Sequence, residues 1–287
     1  MIFCKEIKSV AILLTVHNRK NKTIDCLKNV YSQTFGKDEY SINVYLTDDG
    51  CTDGTTDVVK NFFPEVNIIK GDGSLYWNRG MYTAWQAASK TNPDYYMWLN
   101  DDTKLFEDSL GRLLRLAEQT NNESIIVGST LANKEKEIFT YGGMDGRMKH
   151  RRIPPDNNKL KACATFNGNI VLIPKNVFKR LGFNDSYYRH SFGDIDYGLN
   201  ATKSGLTNYI APGYYGTCDR NNPIPLFRRK CYGLIKRYKL LYSPLGSNPF
   251  EAYHLNVKYY PTYKCVWLFI KLHLNVLFPV DHTKFNK

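Results

Sequence analysis

The sequence lacks the cysteine patterns of a disulfide framework or a structural zinc site. It contains seven cysteines, an odd number, and no two of them form a C-x-x-C pair. Disulfide-rich domains and zinc-binding domains both depend on regular cysteine spacings. The scattered thiols therefore predict a protein of a reducing compartment.

Long hydrophobic runs are also missing. The best candidate, 266–280, is interrupted by Lys271, His273 and Pro279, whereas a membrane span needs about 20 consecutive apolar residues. Residues 1–10 include three charged side chains and lack the apolar centre of a signal peptide. We therefore expect neither a membrane-spanning helix nor a cleaved leader.

Acidic residues are absent from the segment 220–250, where basic side chains alternate with tyrosines and leucines. The later segment 259–278 is aromatic and apolar with a few basic residues. Such a tail suits an anionic membrane surface; an ordinary helix packed on the main domain is the alternative. The net charge of +12 favours an anionic partner, but no nucleic-acid-binding motif accompanies it, so we expect no nucleic acid.

What is present indicates a large folded domain of the α/β class. Hydrophobic residues make up 43% of the 287 residues, enough to bury a full core. The first hundred residues alternate strand and helix patterns, which predicts a mostly parallel sheet with helices on both faces. Strands are expected at 10–16, 42–46, 66–69 and 95–99, and helices at 23–31 (capped by Asn21 or Thr23), 56–63 and 79–89 (capped by Asn78).

Polar side chains follow each of these four strands. Right-handed crossovers bring the carboxyl ends of parallel strands to one edge, where ligands bind in open α/β sheets. Turn and cap residues have the same composition, but four clusters on one edge favour a functional pocket. Its predicted members are Thr15, His17, Asn18, Arg19, Asp48, Asp49, the turn 71–73, Asp101 and Asp102.

Asp101 and Asp102 are adjacent carboxylates at the end of a strand that reads as buried on both faces. Two like charges there need a positive partner, and a hard divalent cation bound by carboxylate oxygens is one. The alternative is that Asp102 or Thr103 caps the helix predicted to begin at residue 106.

The second half of the chain is less regular. It predicts a helix at 106–118, a strand at 125–127, a glycine-rich basic loop at 141–152, a strand at 166–173, a helix at 174–180 with Pro174 in its first turn, a helix at 193–203 and a strand at 208–211.

Four separated motifs together resemble the family 2 glycosyltransferases, inverting enzymes of the GT-A fold. They are 15–19 (TVHNR), 46–55 (LTDDGCTDGT), 100–102 (NDD) and 193–196 (GDID). The resemblance covers about 10–212. It implies a Rossmann-like GT-A domain at 1–215, with a nucleotide-binding half at about 1–103 and an acceptor-binding half at about 104–215. A basic helical region follows at 216–287.

The resemblance also implies roles for single residues. Asp49 would accept a hydrogen bond from the nucleotide base. Asn100 stands at the first position of the D-x-D motif, so Asp102 would be the direct ligand of Mn²⁺ or Mg²⁺, and Asp101 would contact the sugar or ribose or share the metal. Asp194 would be the catalytic base, with Asp196 as the alternative; an ordinary helix cap is the non-catalytic explanation for Asp194.

The loop 71–80 resembles the donor-side loop of rhamnosyltransferase-like members. Its predicted donor contacts are Asp72, Gly73, Trp77, Asn78 and Arg79. Arg19, Arg79 and one of Arg147, Arg151 or Arg152 could bind phosphate oxygens. Many GT-A enzymes place a late histidine on the metal, but here Thr217 and Cys218 stand in that region, which leaves water and diphosphate to complete the metal shell.

The predicted activity is transfer of a sugar from a UDP-, dTDP- or GDP-sugar to a hydroxyl of an oligosaccharide or lipid-linked acceptor in cell-surface polysaccharide synthesis. The predicted location is the cytoplasm, at the inner membrane face. A non-catalytic protein that binds a nucleotide or glycan is the alternative. A nucleotidyltransferase would need a glycine-containing phosphate loop, and 17–21 has no glycine.

Overall fold

The computed structural model describes residues 7–36, 38–132, 137–220 and 224–281. Residues 1–6, on which the expectation about a leader partly rests, lie outside these ranges, as do 221–223 and 282–287 of the predicted C-terminal region. The strands are Lys8–Val16 (β1), Tyr40–Asp48 (β2), Asn67–Lys70 (β3), Tyr95–Leu99 (β4), Lys104–Leu105 (β5), Ser124–Leu131 (β6), Gly143–Met144 (β7), Lys161–Cys163 (β8), Thr165–Phe166 (β9), Ile170–Pro174 (β10) and Thr207–Thr217 (β11). The helices are Lys20–Tyr31 (α1), Thr55–Phe62 (α2), Tyr76–Ser89 (α3), Ser109–Gln119 (α4), Lys175–Leu181 (α5), Gly193–Lys203 (α6), Leu234–Tyr242 (α7), Pro249–Tyr259 (α8) and Thr262–Leu277 (α9), with a 3₁₀ turn at Leu226–Arg228.

A central sheet has the order β3-β2-β1-β4-β10-β6-β11-β5, and β8 pairs with β11. The strands β1 to β4, β6 and β11 run in one direction, while β10 is antiparallel to both of its neighbours. The predicted fold class, a mostly parallel sheet flanked by helices, is confirmed. The first four strands end at one edge, as expected.

Side-chain alternation along the strands divides the core between the two faces of the sheet. Along β1, Val10, Ile12 and Leu14 pack with α1, α2 and α4, whereas Ala11 and Leu13 pack with α3, α5 and α6. All five side chains are almost completely buried. Burying a leucine or isoleucine side chain contributes roughly 1.5–3 kcal/mol, so the two apolar faces of the sheet hold both helical layers in place.

The prediction of one strand at 166–173 was wrong, because two strands separated by a turn occupy this segment. β9 ends at Phe166, β10 begins at Ile170, and the segment 167–169 between them forms a turn. Ile170 pairs with Leu99 in antiparallel register, so the start of β10 lies beside the end of β4. The turn 167–169 therefore joins the polar edge of the sheet.

The segment 141–152 was predicted as a loop and contains regular structure. Its strand β7 pairs with β9 in a second, two-stranded sheet. This small sheet holds the segment beside the same edge, where the side chain of Tyr141 faces the candidate site.

The predicted helix caps were wrong because distant residues fill those positions. α1 begins at Lys20, whose backbone N–H donates to Asp53 Oδ2 at 3.0 Å. α3 begins at Tyr76, so that Asn78 is buried inside the helix and does not cap it. α4 begins at Ser109, well after Asp102. In each case the tertiary contacts outweigh the local capping propensity.

The C-terminal helices are attached to the sheet domain by charged side chains. Lys258 Nζ of α8 lies 2.8 Å from Asp185 Oδ2 and 2.8 Å from Asp196 Oδ2. Arg189 Nε donates to Glu251 Oε1 of α8 at 2.8 Å. Within the described ranges, every helix is too short or too polar to cross a membrane.

Candidate active site

Two cavities open at the edge where β1, β2 and β4 end and β10 begins. The β1–β2 cavity has a volume of about 270 Å³ and the β4–β10 cavity about 320 Å³. Four side chains, those of Arg19, Trp77, Asp101 and His190, line both. The two cavities therefore form one continuous groove, with these four side chains at the junction.

Each cavity draws on different elements. The β1–β2 cavity is also lined by Thr15, Val16, His17, Asp49, Gly73, Tyr76 and Leu245. The β4–β10 cavity is also lined by Asn100, Asp102, Tyr141, Asn167, Gly168, Asn169, Ser191, Phe192, Asp194, Ile195 and Cys218. Most of the first set was predicted from the sequence, and most of the second was not.

Asp49 holds the wall of the β1–β2 cavity together. Its Oδ1 accepts the backbone N–H groups of Gly73 at 2.9 Å and Leu75 at 3.1 Å, and its Oδ2 accepts that of Tyr76 at 2.8 Å. The side chain is buried, with the residue 3% exposed. A carboxylate has about four acceptor positions, so one remains for the nucleotide base that the resemblance assigns to Asp49.

His17 and Thr15 complete this wall. The Nδ1 atom of His17 lies 2.6 Å from the backbone oxygen of Asp49, which fixes the plane of the ring. α3 crosses β1 so closely that a Cβ atom on Gly80 would lie 2.0 Å from Thr15 Oγ1. Glycine at position 80 thus lets the start of α3, with Tyr76 and Trp77, reach the groove.

Three other residues predicted to contact the donor form hydrogen bonds within turns of the protein instead. Asn18 Oδ1 accepts the Thr52 N–H at 2.7 Å. The carboxylate of Asp48 accepts the Cys51 N–H at 2.8 Å and the hydroxyl of Thr56. Asp72 Oδ1 accepts from the backbone and hydroxyl of Ser74. None of the three residues Asn18, Asp48 and Asp72 lines either cavity, so the structure does not bring them into the groove.

Asn78 and Arg79 face away from the groove as well. Asn78 Nδ2 donates to the backbone oxygens of Asp185 and Tyr188, each at 2.8 Å. Arg79 Nε donates to the Ser186 oxygen at 3.0 Å. Both side chains thus anchor the loop that carries His190 into the junction, and neither lines the groove.

The basic side chains of 147–152 also stay outside the groove. Arg147 pairs with Asp145 at 3.6 Å. The Arg152 guanidinium lies 4.9 Å from the centre of the Tyr141 ring. Of the phosphate ligands expected from the sequence, Arg19 is the one that lines both cavities.

A cluster of Arg19, Asp101 and Asp102 occupies the junction. Arg19 Nη1 donates to Asp101 Oδ1 at 3.1 Å and to Asp102 Oδ2 at 3.0 Å. Burial raises the pKa of Asp101 to about 6, although Arg19 opposes the shift. The second oxygen of Asp101 is buried and has no hydrogen-bond partner among the residues that the structure describes.

Cys218 stands beside this cluster, in the region where a late histidine was expected. Its Sγ lies 3.6 Å from Asp102 Oδ1, and Asn169 Nδ2 donates to the sulfur at 3.4 Å. Burial raises the pKa of the Cys218 thiol to about 12, so the sulfur is protonated at neutral pH and donates to the carboxylate.

The two carboxylates fit a hard divalent cation. Asp101 offers an unpartnered buried oxygen, and Mg²⁺ is typically bound by one or two carboxylates with substrate phosphates and water. In the described ranges, no group of three His, Cys, Asp or Glu side chains converges on a metal position. The remaining ligands would therefore be phosphate and water oxygens.

Asp194 also lines the β4–β10 cavity, from the first turn of α6. Its Oδ2 accepts the Gly168 N–H at 2.9 Å, and its Oδ1 accepts the Ile195 N–H at 2.8 Å. Burial raises the pKa of its carboxyl group. A Cβ atom on Gly168 would lie 2.5 Å from the Trp77 ring, so glycine is required for this approach.

Asp196, the alternative base, is on the other side of α6. It is buried, bound to Lys258 at 2.8 Å, and accepts the Tyr259 hydroxyl at 2.7 Å. It does not line either cavity of the groove. Of the two candidates, only Asp194 lines the groove, whereas Asp196 lines a separate cavity beside α8.

Sequence reasoning did not identify His190, Tyr76 or Gly168 as site residues. Burial lowers the pKa of His190 to about 4, with Arg19 adding to the shift, so the ring is neutral at pH 7. His190 comes from a loop, Tyr76 is the first residue of α3, and Gly168 lies in the turn before the antiparallel strand β10. The N-G-N segment before a strand pattern was the one local signal for Gly168.

Comparisons with known proteins agree with this architecture. The model of the family described as "Glycosyl transferase family 2" matches residues 11–182, more than half of the chain. No curated protein matches the sequence significantly. Asp194 and the C-terminal helices lie beyond the matched segment.

Solved structures of similar fold include two of S. aureus TarS. One has a TM-score of 0.55 at 13% identity, over 97% of this chain and 45% of that one. The other, TarS 1-349 in complex with UDP, has a TM-score of 0.54 at 13% identity, over 74% and 60%. The mannosyltransferase PcManGT from Pyrobaculum calidifontis, in complex with GDP-Man and Mn²⁺, has a TM-score of 0.52 at 16% identity, over 76% and 58%. The chain thus spans about half of the length of these proteins.

Proposed function

The chain belongs to glycosyl transferase family 2, and we propose that it transfers a sugar, with inversion, from a nucleoside-diphosphate donor to a hydroxyl of a glycan or lipid-linked acceptor. The proposed biological setting is cell-surface polysaccharide synthesis. The observation that carries the proposal is the groove itself, in which Asp194 and the Arg19–Asp101–Asp102 cluster line the same β4–β10 cavity.

Asp194 is the proposed general base. Its carboxylate is held by the N–H groups of Gly168 and Ile195, which fix its direction towards the cavity. Burial raises its pKa, and a base is most effective when its pKa approaches the working pH. An acceptor hydroxyl in the β4–β10 cavity would lose its proton to Asp194 as it attacks the anomeric carbon.

The donor nucleotide is proposed to lie in the β1–β2 cavity. His17, Gly73, Tyr76 and Asp49 would surround the base and ribose, and Arg19 at the junction would face the diphosphate. The fold neighbours are recorded with UDP or with GDP-Man, which supports a UDP-, dTDP- or GDP-sugar as donor.

Asp102 and Asp101 are the proposed ligands of Mn²⁺ or Mg²⁺. When bound, such a cation stabilises the negative charge that develops on the departing diphosphate. Cys218 and Asn169 orient the Asp102 carboxylate.

Calorimetric titration with UDP, dTDP and GDP, each with and without Mn²⁺ or Mg²⁺, tests the donor site. We expect one of them to bind and its affinity to increase with the metal. Asp102→Asn should remove the metal dependence. If the folded protein binds none of the three under any condition, the proposed donor site is wrong, and the non-catalytic alternative gains weight.

We also propose that the protein acts in the cytoplasm, at the inner face of the membrane, with α9 lying on an anionic lipid surface. Large apolar side chains at helical spacing form a stripe on its exposed face. They are Tyr263, Val266, Trp267, Ile270, Leu274, Leu277 and Phe278. Segment 262–278 has no acidic residue, and Lys264 and Lys271 are exposed. Apolar side chains with flanking lysines suit an anionic bilayer, whereas a second copy would bring like charges together.

Sedimentation with vesicles tests this location. We expect binding to phosphatidylcholine vesicles that contain phosphatidylglycerol and weak binding to phosphatidylcholine alone. The double variant Trp267→Ser, Ile270→Ser should lose binding, whereas Phe62→Ser, which removes an equally exposed aromatic ring from α2, should not. Failure of the wild type to bind either vesicle, or a dimer that the double variant dissociates, would refute the membrane proposal.

A further inference from the structure

The position of Arg19 conflicts with that of a bound cation. One atom, Nη1, lies within hydrogen-bond distance of both Asp101 and Asp102. Mg²⁺ binds carboxylate oxygens at about 2.0–2.1 Å, so an ion shared by the same two oxygens would need the space that Nη1 occupies. A divalent cation and the guanidinium cannot both lie between Asp101 Oδ1 and Asp102 Oδ2. An ion on Asp101 Oδ2, which has no hydrogen-bond partner among the described residues, would still lie beside the guanidinium charge.

We propose that Arg19 is an internal counter-ion, which lies at the cation position between the two carboxylates and leaves it when the divalent ion and the diphosphate bind together. This proposal rests on the proposed function. It adds that the ion and the guanidinium compete for the same position between the carboxylates. A bound nucleotide would end this competition, because its diphosphate provides a second binding position for the guanidinium.

The contacts of Arg19 allow its side chain to move while its backbone stays. Its backbone oxygen accepts the N–H of Thr23 at 3.0 Å and the Thr23 hydroxyl at 3.1 Å, which fixes it at the start of α1. The side chain is 49% exposed, whereas that of Asp101 is 7% exposed. The carboxylates are therefore the fixed part of the cluster, and the guanidinium is the part that can leave.

The pair of carboxylates needs a positive charge beside it. Asp101 is almost completely buried beside the second carboxylate, and two adjacent negative charges at low solvent access are unfavourable. His190 also lines the junction, but burial holds its pKa near 4, so its ring is uncharged at pH 7. Arg19 is thus the cation that donates hydrogen bonds to both carboxylates, while Lys22 favours the ionised form of Asp101 without a hydrogen bond to it.

The Arg19 side chain can also bind the phosphate oxygens of a nucleotide. Arg19 lines both cavities, and the planar fork of a guanidinium matches phosphate oxygens. When an ion binds alone, the released guanidinium would remain close to it and repel it. When a diphosphate is also present, its negative charge accommodates both. The ion alone should therefore bind weakly, and the ion with a nucleoside diphosphate should bind strongly.

The test measures binding of Mn²⁺ alone, from the electron paramagnetic resonance signal of the free ion. Arg19→Gln should increase the affinity for Mn²⁺ by roughly 5- to 150-fold, the usual range of coupling between two sites. Arg180→Gln, which removes the same charge from a partly exposed residue of α5, should leave the affinity unchanged. Asp102→Asn should weaken it.

A second titration adds the nucleoside diphosphate that the calorimetric panel selects. In wild type, we expect the nucleotide to increase the affinity for Mn²⁺ strongly; in Arg19→Gln, this increase should be much smaller.

Arg19→Lys keeps the positive charge without the planar guanidinium. It should bind Mn²⁺ alone nearly as weakly as wild type. This variant also provides a readout if Arg19→Gln does not fold.

Equal or weaker binding of Mn²⁺ to Arg19→Gln than to wild type would overturn the proposal, and so would a failure of folded Arg19→Gln to bind Mn²⁺ at all. The outcome is separable from that of the proposed function. If Arg19→Gln binds Mn²⁺ more tightly but no variant binds any nucleotide, the competition at the carboxylates stands and the assignment as a nucleotide-sugar transferase falls.

Discussion

The two cavities of the groove use buried carboxylates in opposite ways. Asp49 in the β1–β2 cavity is 3% exposed and accepts three backbone N–H groups. Asp101 at the junction is 5% exposed, and one of its oxygens has no hydrogen-bond partner within the described part of the chain. Two equally buried carboxylates can therefore have different roles, because the hydrogen-bond partners of each carboxylate determine what it does.

A carboxylate with several N–H donors is stable in its ionised form and shapes the protein around it. A buried carboxylate with few partners is costly to ionise and gains stability when a cation or a proton arrives. The first kind builds the site, and the second kind reacts or binds. This contrast predicts which substitutions should change turnover and which should change stability.

The largest effect is expected from Asp194→Asn in the β4–β10 cavity. The amide cannot take the proton from the attacking hydroxyl of the acceptor, so kcat should fall by about 10²- to 10⁴-fold. The affinity for the nucleotide should stay unchanged. Steady-state kinetics together with calorimetry would measure both. In a non-catalytic protein, wild type itself would show no turnover.

The matched control is Asp196→Asn, two positions along the same helix. Asp196 is bound to Lys258 and Tyr259, so its loss should lower the melting temperature and leave most of the turnover. The reverse result, with turnover lost in Asp196→Asn and kept in Asp194→Asn, would assign the base to Asp196.

An intermediate effect is expected from Asp49→Asn in the β1–β2 cavity. An amide has one acceptor oxygen and would turn its NH₂ group towards at least one backbone N–H. We expect a loss of about 1–3 kcal/mol of stability and weaker nucleotide binding, measured by chemical denaturation and calorimetry.

Asp72→Asn is the comparison within the same loop. The Asp72 carboxylate is exposed and bonded only to Ser74, so we expect little change. If Asp72→Asn weakened nucleotide binding as much as Asp49→Asn, Asp72 would contact the donor directly, as the resemblance implied.

An effect on stability alone, without a change in turnover being measured, is expected from Asp101→Asn in the metal-free protein. The pKa of Asp101 is raised from its ordinary value of 3.8 to about 6. As the pH rises from about 4 to above 6, the unfolded chain releases this proton before the folded protein does, so wild type loses stability. Two pKa units correspond to at most about 3 kcal/mol.

The asparagine variant cannot lose that proton. Its melting temperature should therefore equal that of wild type near pH 4 and exceed it by several degrees at pH 7, measured by differential scanning calorimetry without metal. A constant difference at all pH values would show that Asp101 is not the titrating group.

Local patterns identified much of the β1–β2 cavity in advance. The strands β1 and β4 contain continuous apolar runs and β2 contains a shorter one at 44–46. Parallel strands connected by helices bring their ends to one edge. His17, Asp49 and Gly73 could thus be placed there from the sequence. The same reasoning wrongly gave Asn78 a capping role, because a long-range contact with the loop at 185–188 determined its position.

The β4–β10 cavity could not be assembled in this way. β10 is antiparallel in a sheet that reads as parallel, so its start, and with it Gly168, lies at an edge where strand ends were expected. Asp194 and Asp196 carry the same local signal, and only the packing of α8 against α6 separates them. His190 and Cys218 arrive from loops with no local pattern.

The sequence by itself determined the α/β class, the edge of the sheet that carries the site, and the pair of carboxylates after β4. It could do so because burial patterns and strand direction follow from residues close in the chain. Only the tertiary structure decided which carboxylates are satisfied and which remain available, because hydrogen bonds and ion pairs join residues far apart in sequence. Arg19 between Asp101 and Asp102, 82 and 83 positions away, is the clearest example.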